Sequence, residues 1–376
     1  MAILIFTLNI KITNAQSIAQ SRISSVTNIN TGTDRIVEIM QEDFDNDLII
    51  ENKDKTNESS EPDIEVFMPA STSENVENGS YDNKNIDNES NNNNISLKNE
   101  NTSKHDIKTK IITSVSGSNI KVDTNRNGEV KNKIVGADVA VVRELNTSSG
   151  KLFIGGLIDY NHDNYENESN KMTGKGDSDA VSVGVIAKQI RDDGIYYEGS
   201  ARLGRAKTDL NSNNFVINNQ KSNINYEESA PIYAGHIKLG KVIKNNEKQQ
   251  TDIYTMYTFA HQDNNTIRLQ NNDKYNVGSI DSNRLKIGCR MTTKVKDGKI
   301  YYGLAYQYEG SAKVKSTNAA SLETQVDNAK GSTGVLELGY KINASRDNTL
   351  NVDLNLTGFA GNQKGFTFQT QLIKSF

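Results

Sequence analysis

Alternation of apolar and polar residues is the dominant pattern in the C-terminal part of the chain. In the segment 350–356, every second residue is apolar (Leu350, Val352, Leu354, Leu356), and Asn351, Asp353 and Asn355 stand between them. A period of two is that of a β-strand with one apolar and one polar face. The last segment of this kind, Lys364 to Phe376, ends on an aromatic residue. This ending is expected of a membrane barrel, whose last strand pairs with its first and whose rim residues lie at the membrane interface.

Twelve alternating segments, each of about ten residues, follow one another from Lys108 onward. They span 108–121, 133–144, 151–161, 180–191, 194–206, 231–243, 251–261, 283–295, 299–309, 333–342, 349–359 and 364–376. The pattern predicts a twelve-stranded antiparallel transmembrane β-barrel, an all-β fold.

The connections between these segments alternate in length. The links after segments 2, 4, 6, 8 and 10 are tight turns such as Asp192-Asp193 and Asp297-Gly298. The links after segments 3, 5, 7 and 9 are polar and on the order of twenty residues. The links after segments 1 and 11 are intermediate and short. Short turns at one end and long loops at the other are typical of outer-membrane barrels.

The two faces of the eighth segment differ in charge. Leu285, Ile287, Cys289, Met291 and Val295 share one face, and Arg284, Lys286, Arg290 and Lys294 share the other. A Lys or Arg facing lipid at mid-membrane would cost about 2–4 kcal/mol, so the charged face is expected to line the lumen. A soluble β-sandwich also shows alternation; the strand lengths and the one-sided loops favour the barrel.

The composition excludes several classes of protein. The chain has 376 residues, enough for one large domain or two small ones, but only 35% are hydrophobic and the mean hydropathy is −0.65. A helical membrane protein is therefore excluded. The single cysteine, Cys289, rules out an intrachain disulfide and cysteine-based metal sites. The net charge of −4 argues against nucleic-acid binding.

The N-terminal third differs from the rest. Residues 2–10 are mostly apolar and precede Thr13-Asn14-Ala15, a sequence similar to a signal-peptidase site, so residues 1–15 are predicted to be a signal peptide, without a preceding Lys or Arg. Residues 16–107 are rich in Asn, Ser, Glu, Asp and Lys, and we expect them to be a mostly disordered short passenger or linker. One patch, Asp34 to Ile50, has apolar spacing that predicts a helix of three turns.

Short motifs in residues 108–376 match a known family in order and spacing. They are Gly136-Ala-Asp138 with Arg143-Glu-Leu145; Tyr196-Tyr197 and Gly199 with Arg202-Leu-Gly204; Tyr306-Gln-Tyr-Glu-Gly310; Gly331-Ser-Thr-Gly334 with Glu337-Leu-Gly-Tyr340; and Gly358-Phe-Ala-Gly361 with Gly365 and Phe376. Together they make residues 108–376 resemble the autotransporter β-domain, the translocator of type V secretion.

The resemblance implies an outer-membrane barrel that is inserted by the barrel assembly machinery through its last strand. It also implies a helix ahead of the first strand that threads the pore and leads to an exported passenger. Residues 94–110, the segment directly before the first strand, are rich in Asn and Ser and predict a poor helix. Where the family carries a large apolar residue two places before the terminal aromatic, this chain has Lys374, which we expect to extend to the headgroups.

Two groups of residues are candidates for a functional role. His162 and His261 lie at the predicted long-loop rim near Asp163 and Asp263, and a rim protease could use such residues to activate water. Charged residues with the parity of the lumen face are expected to pair across the lumen, to hold a threading segment or to line a narrow pore. They are Asp138, Glu198, Arg202, Lys238, Arg284, Lys286, Arg290, Glu309, Glu337 and Asp353.

We therefore predict a non-enzymatic translocator and anchor that exports or displays its N-terminal segment from the outer membrane of a Gram-negative-type bacterium. Its predicted partners are outer-membrane lipid, the assembly machinery, its own N-terminal segment in the lumen, and host or cell-surface ligands. The alternatives are a surface-display or adhesion barrel that acts through its loops and, third, the rim protease. No catalytic, cofactor or metal site is predicted.

Overall fold

The computed structural model of the chain describes one helix and fifteen strands. It covers residues 2–41, 108–125, 128–169, 172–217, 220–269, 272–319, 324–345, 347 and 349–376, with the side chains of the helix described from Ala15 onward. The elements are α1 (Ala2–Gln41), β1 (Lys108–Thr124), β2 (Gly128–Thr147), β3 (Gly150–Ser169), β4 (Met172–Arg191), β5 (Ile195–Ile217), β6 (Gln220–Lys244), β7 (Gln249–Gln262), β8 (Asn265–Arg268), β9 (Lys274–Val277), β10 (Ile280–Val295), β11 (Gly298–Asn318), β12 (Thr324–Asn328), β13 (Gly331–Asn343), β14 (Leu350–Gly361) and β15 (Gln363–Ser375).

The strands form a closed antiparallel barrel. Twelve of them (β1 to β7, β10, β11, β13, β14 and β15) pair in chain order, and β15 closes the sheet on β1 from Lys110↔Ser375 to Val122↔Gln363. The terminal residue continues this pairing, because the Phe376 amide donates to the Thr109 carbonyl over 2.9 Å. The predicted twelve-stranded barrel is thus confirmed. The short strands β8, β9 and β12 lie in the connections at the long-loop end.

The strands are longer than the alternating segments predicted. β6 runs over 25 residues, whereas about 9–11 tilted residues suffice to cross a bilayer. Most of the extra residues are at the long-loop end, where β5 and β6 remain paired as far as Ile217↔Gln220. The sequence predicts a loop for this hairpin, because strands with water on their outer side do not show an apolar outer face.

The short-turn end is built from tight connections, as predicted. Between β4 and β5 the chain turns through Asp192-Asp193-Gly194, and Gly194 has a φ of 81°. A side chain is disfavoured in this left-handed conformation, so glycine suits the turn. The Gly194 amide donates to the Arg191 carbonyl over 2.9 Å, which closes the turn.

The outer face of the barrel is an apolar band edged by aromatic side chains. Leu304 is 63% exposed on this face, between Tyr302 and Tyr306 on the same strand. Phe366 and Phe368 are also outward, and Phe376 is 68% exposed at the short-turn end. Lys374 lies partly buried beside it and donates to the Thr349 hydroxyl over 2.7 Å. Tyrosine and phenylalanine at the edges of an apolar band are characteristic of a lipid-facing wall.

The depth of this band can be measured with one substitution at two heights. We expect Leu304→Arg to destabilise the folded barrel by about 2–4 kcal/mol and Tyr308→Arg, four residues nearer the long-loop end, by about 0–1 kcal/mol. Denaturant titration of both variants refolded in lipid vesicles gives the two free energies of unfolding. Equal losses at both positions would mean that Leu304 does not lie in the hydrocarbon.

Helix α1 lies inside the barrel, and this differs from the sequence analysis. Residues 16–41 had been expected to be mostly disordered, with three helical turns beginning near Asp34; the structure instead has one helix that ends at Gln41. Every side chain from Ala15 to Gln41 is buried except those of Asp34 and Glu38, which are half-buried. Residues 42–107, which contain the rest of the predicted helix and of the low-complexity region, lie outside the described residues.

Tertiary context explains the difference. A helix rich in Ser, Thr and Asn is marginal in water, because these residues have low helix propensity and do not offset the cost of nucleation. Inside this barrel the same polar residues meet polar side chains of the wall, so the composition that suggested disorder suits a polar lumen. No helix among the described residues is apolar enough over sufficient length to be a membrane span.

Candidate functional site: the helix in the barrel lumen

Helix α1 runs through the lumen from the long-loop end to the short-turn end. Near its start, the Gln20 amide donates to the hydroxyl of Thr124, the last residue of β1, over 3.3 Å. Near its end, the Gln41 amide donates to Asp252, close to the short turn between β6 and β7, over 3.0 Å. The direction of the chain is therefore fixed: the N-terminal end of the helix is at the long-loop end.

The long-loop connections close around the first described turns of the helix. Ala15, Ile18 and Ala19 are fully buried and belong to an apolar cluster with residues of the β8–β9 hairpin, among them Ile267 and Tyr275. This burial keeps the long-loop mouth of the barrel occupied. Cleavage after Ala15, as predicted for the signal peptide, would fall at this mouth, and it remains a prediction.

The first ion pair below the mouth is between Arg22 of the helix and Glu228 of β6. The two side chains are fully buried; Nη2 donates to Oε2 over 2.8 Å, and Nε lies 2.7 Å from Oε1 as a charge contact. Arg22 Nη1 also donates to the Asp263 carbonyl over 2.5 Å. Hydrogen bonds between charged groups are stronger than neutral ones, so Arg22 ties the helix firmly to this side of the wall.

The middle of the lumen holds a second group of charges around Arg35. Arg35 pairs with Asp138 of β2 and donates to Asn161 over 2.9 Å. Next to it, Arg202 of β5 pairs with Asp159 at 2.8 Å and donates to the Ile29 carbonyl of the helix over 2.5 Å. Wall and helix thus share one network of buried charges.

The opposite wall carries charges of the other sign. Asp34 accepts two hydrogen bonds from Arg284 of β10, at 2.9 and 3.1 Å. Four residues later, Glu38 accepts two from Arg290 of the same strand, at 2.8 and 2.9 Å. Residues four apart share one face of a helix, so Asp34 and Glu38 form an acidic stripe against a basic strand. The helix anions meet β10 and the helix cations meet β2 and β6, which fixes both rotation and height.

Lysines of the wall meet the C-terminal end of the helix. Lys188 donates to the Met40 carbonyl, and Lys238 donates to the Gln41 side-chain oxygen over 2.5 Å. The last carbonyls of a helix carry a partial negative charge that cations stabilise. The short-turn end of the lumen therefore favours the last turn of a helix.

Little space remains beside the helix. The cavity lined by Asp34, Glu38 and Arg290 has a volume of about 40 Å³, and the one lined by Asn30 and Arg284 has about 30 Å³. Cavities of this size hold a few water molecules. The barrel with α1 in place is therefore a plugged pore.

The charged residues predicted to line the lumen do so. Asp138, Glu198, Arg202, Lys238, Arg284, Lys286, Arg290 and Glu337 are buried, and Glu309 and Asp353 are partly buried. Their partners on the helix are not predicted from sequence. Arg22 lies in the part expected to be disordered, and Asp34, Arg35 and Glu38 lie in the predicted short helix, for which no position in the barrel is predicted. The sequence pattern that could reveal them is a pair of carboxylates four residues apart, Asp34 and Glu38, matched by two arginines on one face of β10, Arg284 and Arg290.

The two rim histidines do not form one site. His162 on β3 and His261 on β7 are separated by three strands, and both face outward. His162 Nδ1 lies 2.9 Å from Asp179, whereas the predicted neighbour Asp163 faces the lumen and accepts from Ser24 over 2.7 Å. His261 lies between Asp281 and Asp263, at 2.7 and 3.0 Å. The geometry supplies no shared catalytic centre that includes both histidines.

Tyrosine rings pack over glycines on the inner face of the wall. The ring of Tyr196 on β5 covers Gly240 on β6 so closely that a Cβ at Gly240 would lie 2.5 Å from ring atoms. The Tyr196 hydroxyl donates on to Asp252 over 3.0 Å. Tyr254 over Gly288 and Tyr301 over Gly339 repeat the arrangement. Each tyrosine–glycine contact joins two neighbouring strands at a position where a side chain larger than that of glycine would meet the ring.

We expect Gly240→Ala to displace the Tyr196 ring and cost about 1–3 kcal/mol, the range found for overpacked cores. Gly117→Ala is the matched control, because an added Cβ at Gly117 meets no atom within 4 Å. Both variants are compared by the urea concentration at which the unheated, compact form is lost on gels. An equal midpoint for the two would show that the ring is not held against Gly240.

Comparisons with known proteins agree with this architecture. The family model described as "Autotransporter beta-domain" matches residues 111–357. No curated protein sequence matches the chain.

Solved structures with a similar fold include three autotransporter domains. The β domain of the Bordetella autotransporter BrkA is 15% identical, with a TM-score of 0.55 over 71% of this chain and 99% of that one. The translocator domain of NalP from Neisseria meningitidis is 9% identical, with a TM-score of 0.53 over 71% and 88%. The transport unit of AIDA-I from Escherichia coli is 13% identical, with a TM-score of 0.50 over 75% and 94%. At these identities the likeness shows the fold alone.

Proposed function

The chain belongs to the autotransporter β-domain family, and we propose that its barrel is an outer-membrane translocator and anchor that exports or displays its N-terminal segment. The observation that carries the proposal is the direction of α1. The helix points its N-terminal end to the long-loop end, the side that faces outward in outer-membrane barrels. In this interpretation α1 is the segment that rests in the lumen when transport has ended.

The lumen chemistry supports the same interpretation. A wall that offers carboxylates on β2 and β6 and guanidiniums on β10 pairs with the charged side chains Arg22, Arg35 and Asp34 of the helix. The lipid-facing band supplies the anchor. The strand that ends at Phe376 is the element we propose to be recognised by the barrel assembly machinery.

An epitope placed beside Asn264, in the exposed connection between β7 and β8, tests the orientation. We expect protease added to intact cells to remove this epitope, because the long-loop end faces outward in the proposed orientation. The control is the same epitope beside Ser149, in the short turn between β2 and β3, which should survive until the outer membrane is opened. Survival of the first epitope and loss of the second would refute the proposed orientation.

A second candidate function, adhesion or display through the loops, is favoured by one observation. The β5–β6 hairpin stays paired beyond Asn211↔Asn225, well past the apolar band, and so presents a long two-stranded surface. Joining Asn211 to Asn225 and deleting the residues between them would leave the barrel intact. A loss of binding to host or neighbouring cells, with the protease result of the epitope experiment unchanged, would support a role in adhesion. Unchanged binding would exclude this hairpin as the adhesive surface.

A further inference from the structure

The outer wall carries four lysines near the long-loop end, where the last strand closes on the first. They form what we call the lysine patch: Lys364 on β15, Lys121 on β1, and Lys131 and Lys133 on β2. In the register of the sheet, Lys121 lies opposite Lys364 on one side and opposite Lys131 on the other. Like charges directly opposite each other destabilise a sheet, so this arrangement favours a bound anion.

Carboxylates neutralise only half of the charge of the lysine patch. Glu129 pairs with two of the lysines, with Lys131 at 2.8 Å, and Asp123 pairs with a third. Among the described residues, Lys133 has no ion-pair partner, and its side chain is exposed. Exposed ion pairs contribute little to stability, so these lysines can exchange a carboxylate for another anion at small cost.

The wall beside the lysine patch is concave. A depression with a volume of about 610 Å³ extends over β1 to β4 and is lined by three of the four lysines. On its far side, Glu166 of β3 and Lys175 of β4 pair with each other over 2.5 Å. Its charged lining is four lysines and two carboxylates, namely Lys121, Lys131, Lys133, Lys175, Glu166 and Asp177. The depression therefore keeps an excess of positive charge and has room for a phosphate group.

The depression borders the apolar band directly. On β2, Val135 stands two residues from Lys133, about 7 Å along the strand, and is 58% exposed. Gly117 of β1 lies between Val135 and Phe368 in the register, and an added Cβ at Gly117 would meet no atom within 4 Å. An apolar furrow with Gly117 at its floor thus leads from the lipid-facing wall to the lysines.

We propose that the lysine patch binds the phosphate of an outer-leaflet lipid, with an acyl chain of the same lipid in the furrow over Gly117. A free phosphate would meet the lysines alone, whereas a lipid also covers the exposed apolar side chains beside the furrow, so a lipid is the occupant that the geometry favours. The assignment to the outer leaflet rests on the proposed function, which places the long-loop end outward. The bound lipid lies across the junction of β15 and β1, where the barrel closes.

Titration of the purified full chain with lipid A, a bisphosphorylated glycolipid, tests the proposal. The protein is held in a neutral detergent, and bound lipid is counted by native mass spectrometry. We expect the double variant Lys121→Gln with Lys133→Gln to raise the Kd for lipid A about tenfold or more, because each lysine near an anionic lipid adds to the attraction. The matched control is Lys313→Gln with Lys315→Gln, which removes two exposed lysines of β11 near the same end and should leave the Kd unchanged.

Two further probes separate a lipid from its parts. The same glycolipid without its phosphates should bind about tenfold more weakly or worse, and inorganic phosphate should not displace lipid A. Equal binding of the phosphate-free glycolipid, or equal Kd values for the two double variants, would overturn the proposal. Displacement by inorganic phosphate would show a simple anion site and would also overturn it. A reversed result in the epitope experiment would refute the orientation, and with it the choice of leaflet, without changing any of these binding constants.

Discussion

Deletion of residues 16–41 is expected to turn a closed barrel into an open pore. These residues fill the lumen along its length, and an α-helix with its side chains is about 10–12 Å across. Once the helix is gone, the wall is lined by charged and polar side chains that water can solvate, so ions pass. We expect the single-channel conductance in a planar bilayer to rise by about tenfold or more over that of the full chain.

The matched control for this deletion is removal of residues 70–95, an equal number of residues from outside the described part of the chain, which leaves α1 intact. The conductance of that variant should equal that of the full chain. A deletion of residues 16–41 that folds into a closed barrel and conducts no better than the full chain would show that α1 is not what blocks the pore.

Replacement of Arg35 by Met is expected to be among the most destabilising single changes in the lumen. It leaves Asp138 buried without its guanidinium, near Asp159, so that Arg202 alone faces two carboxylates. Removing one partner of a buried ion pair costs about 3–5 kcal/mol. The free energy of unfolding, measured by urea titration of the purified barrel in detergent, should fall by that amount.

Two further variants make this measurement specific. Arg205→Met, at an exposed outward position on the same strand as Arg202, should change stability by less than about 0.5 kcal/mol. The double variant Arg35→Met with Asp138→Leu removes both charges and should recover much of the loss, because coupled residues are not additive. A single Arg35→Met variant as stable as Arg205→Met would mean that the Arg35–Asp138 pair makes no net contribution to stability.

The barrel could be predicted from sequence because its physics is local and periodic. Each strand shows its lipid face as alternating apolar residues, and each short turn marks one end of the barrel. Leu285 and Arg284 are assigned to opposite faces by parity alone, and the structure places them there. The extensions of β5 and β6 carry no such mark on their outer face, because their apolar residues, Leu210, Ile224 and Tyr226, face inward.

The lumen helix could not be predicted in the same way, because its stability comes from partners far away in the sequence. Ser24 bonds Asn132 and Asp163, and Arg22 bonds Glu228. Nothing in the local sequence around Ser24 separates a helix that will enter a polar barrel from a disordered polar chain. The family resemblance places the pore helix directly before the first strand, at residues 94–110, whereas the helix in the lumen ends at Gln41.

The charge pattern of the lumen favours one position of α1 along the barrel axis. A shift of α1 by one turn, about 5.4 Å, would bring Glu38 to the height of Arg284 but would take Arg35 away from Asp138 and Arg22 away from Glu228. Each separation would leave a buried charge without its partner, at a cost of several kcal/mol, so other positions of the helix are disfavoured. The spacing of Arg22, Asp34, Arg35 and Glu38 on α1 therefore sets the position at which the chain comes to rest in the lumen, whatever residues precede them.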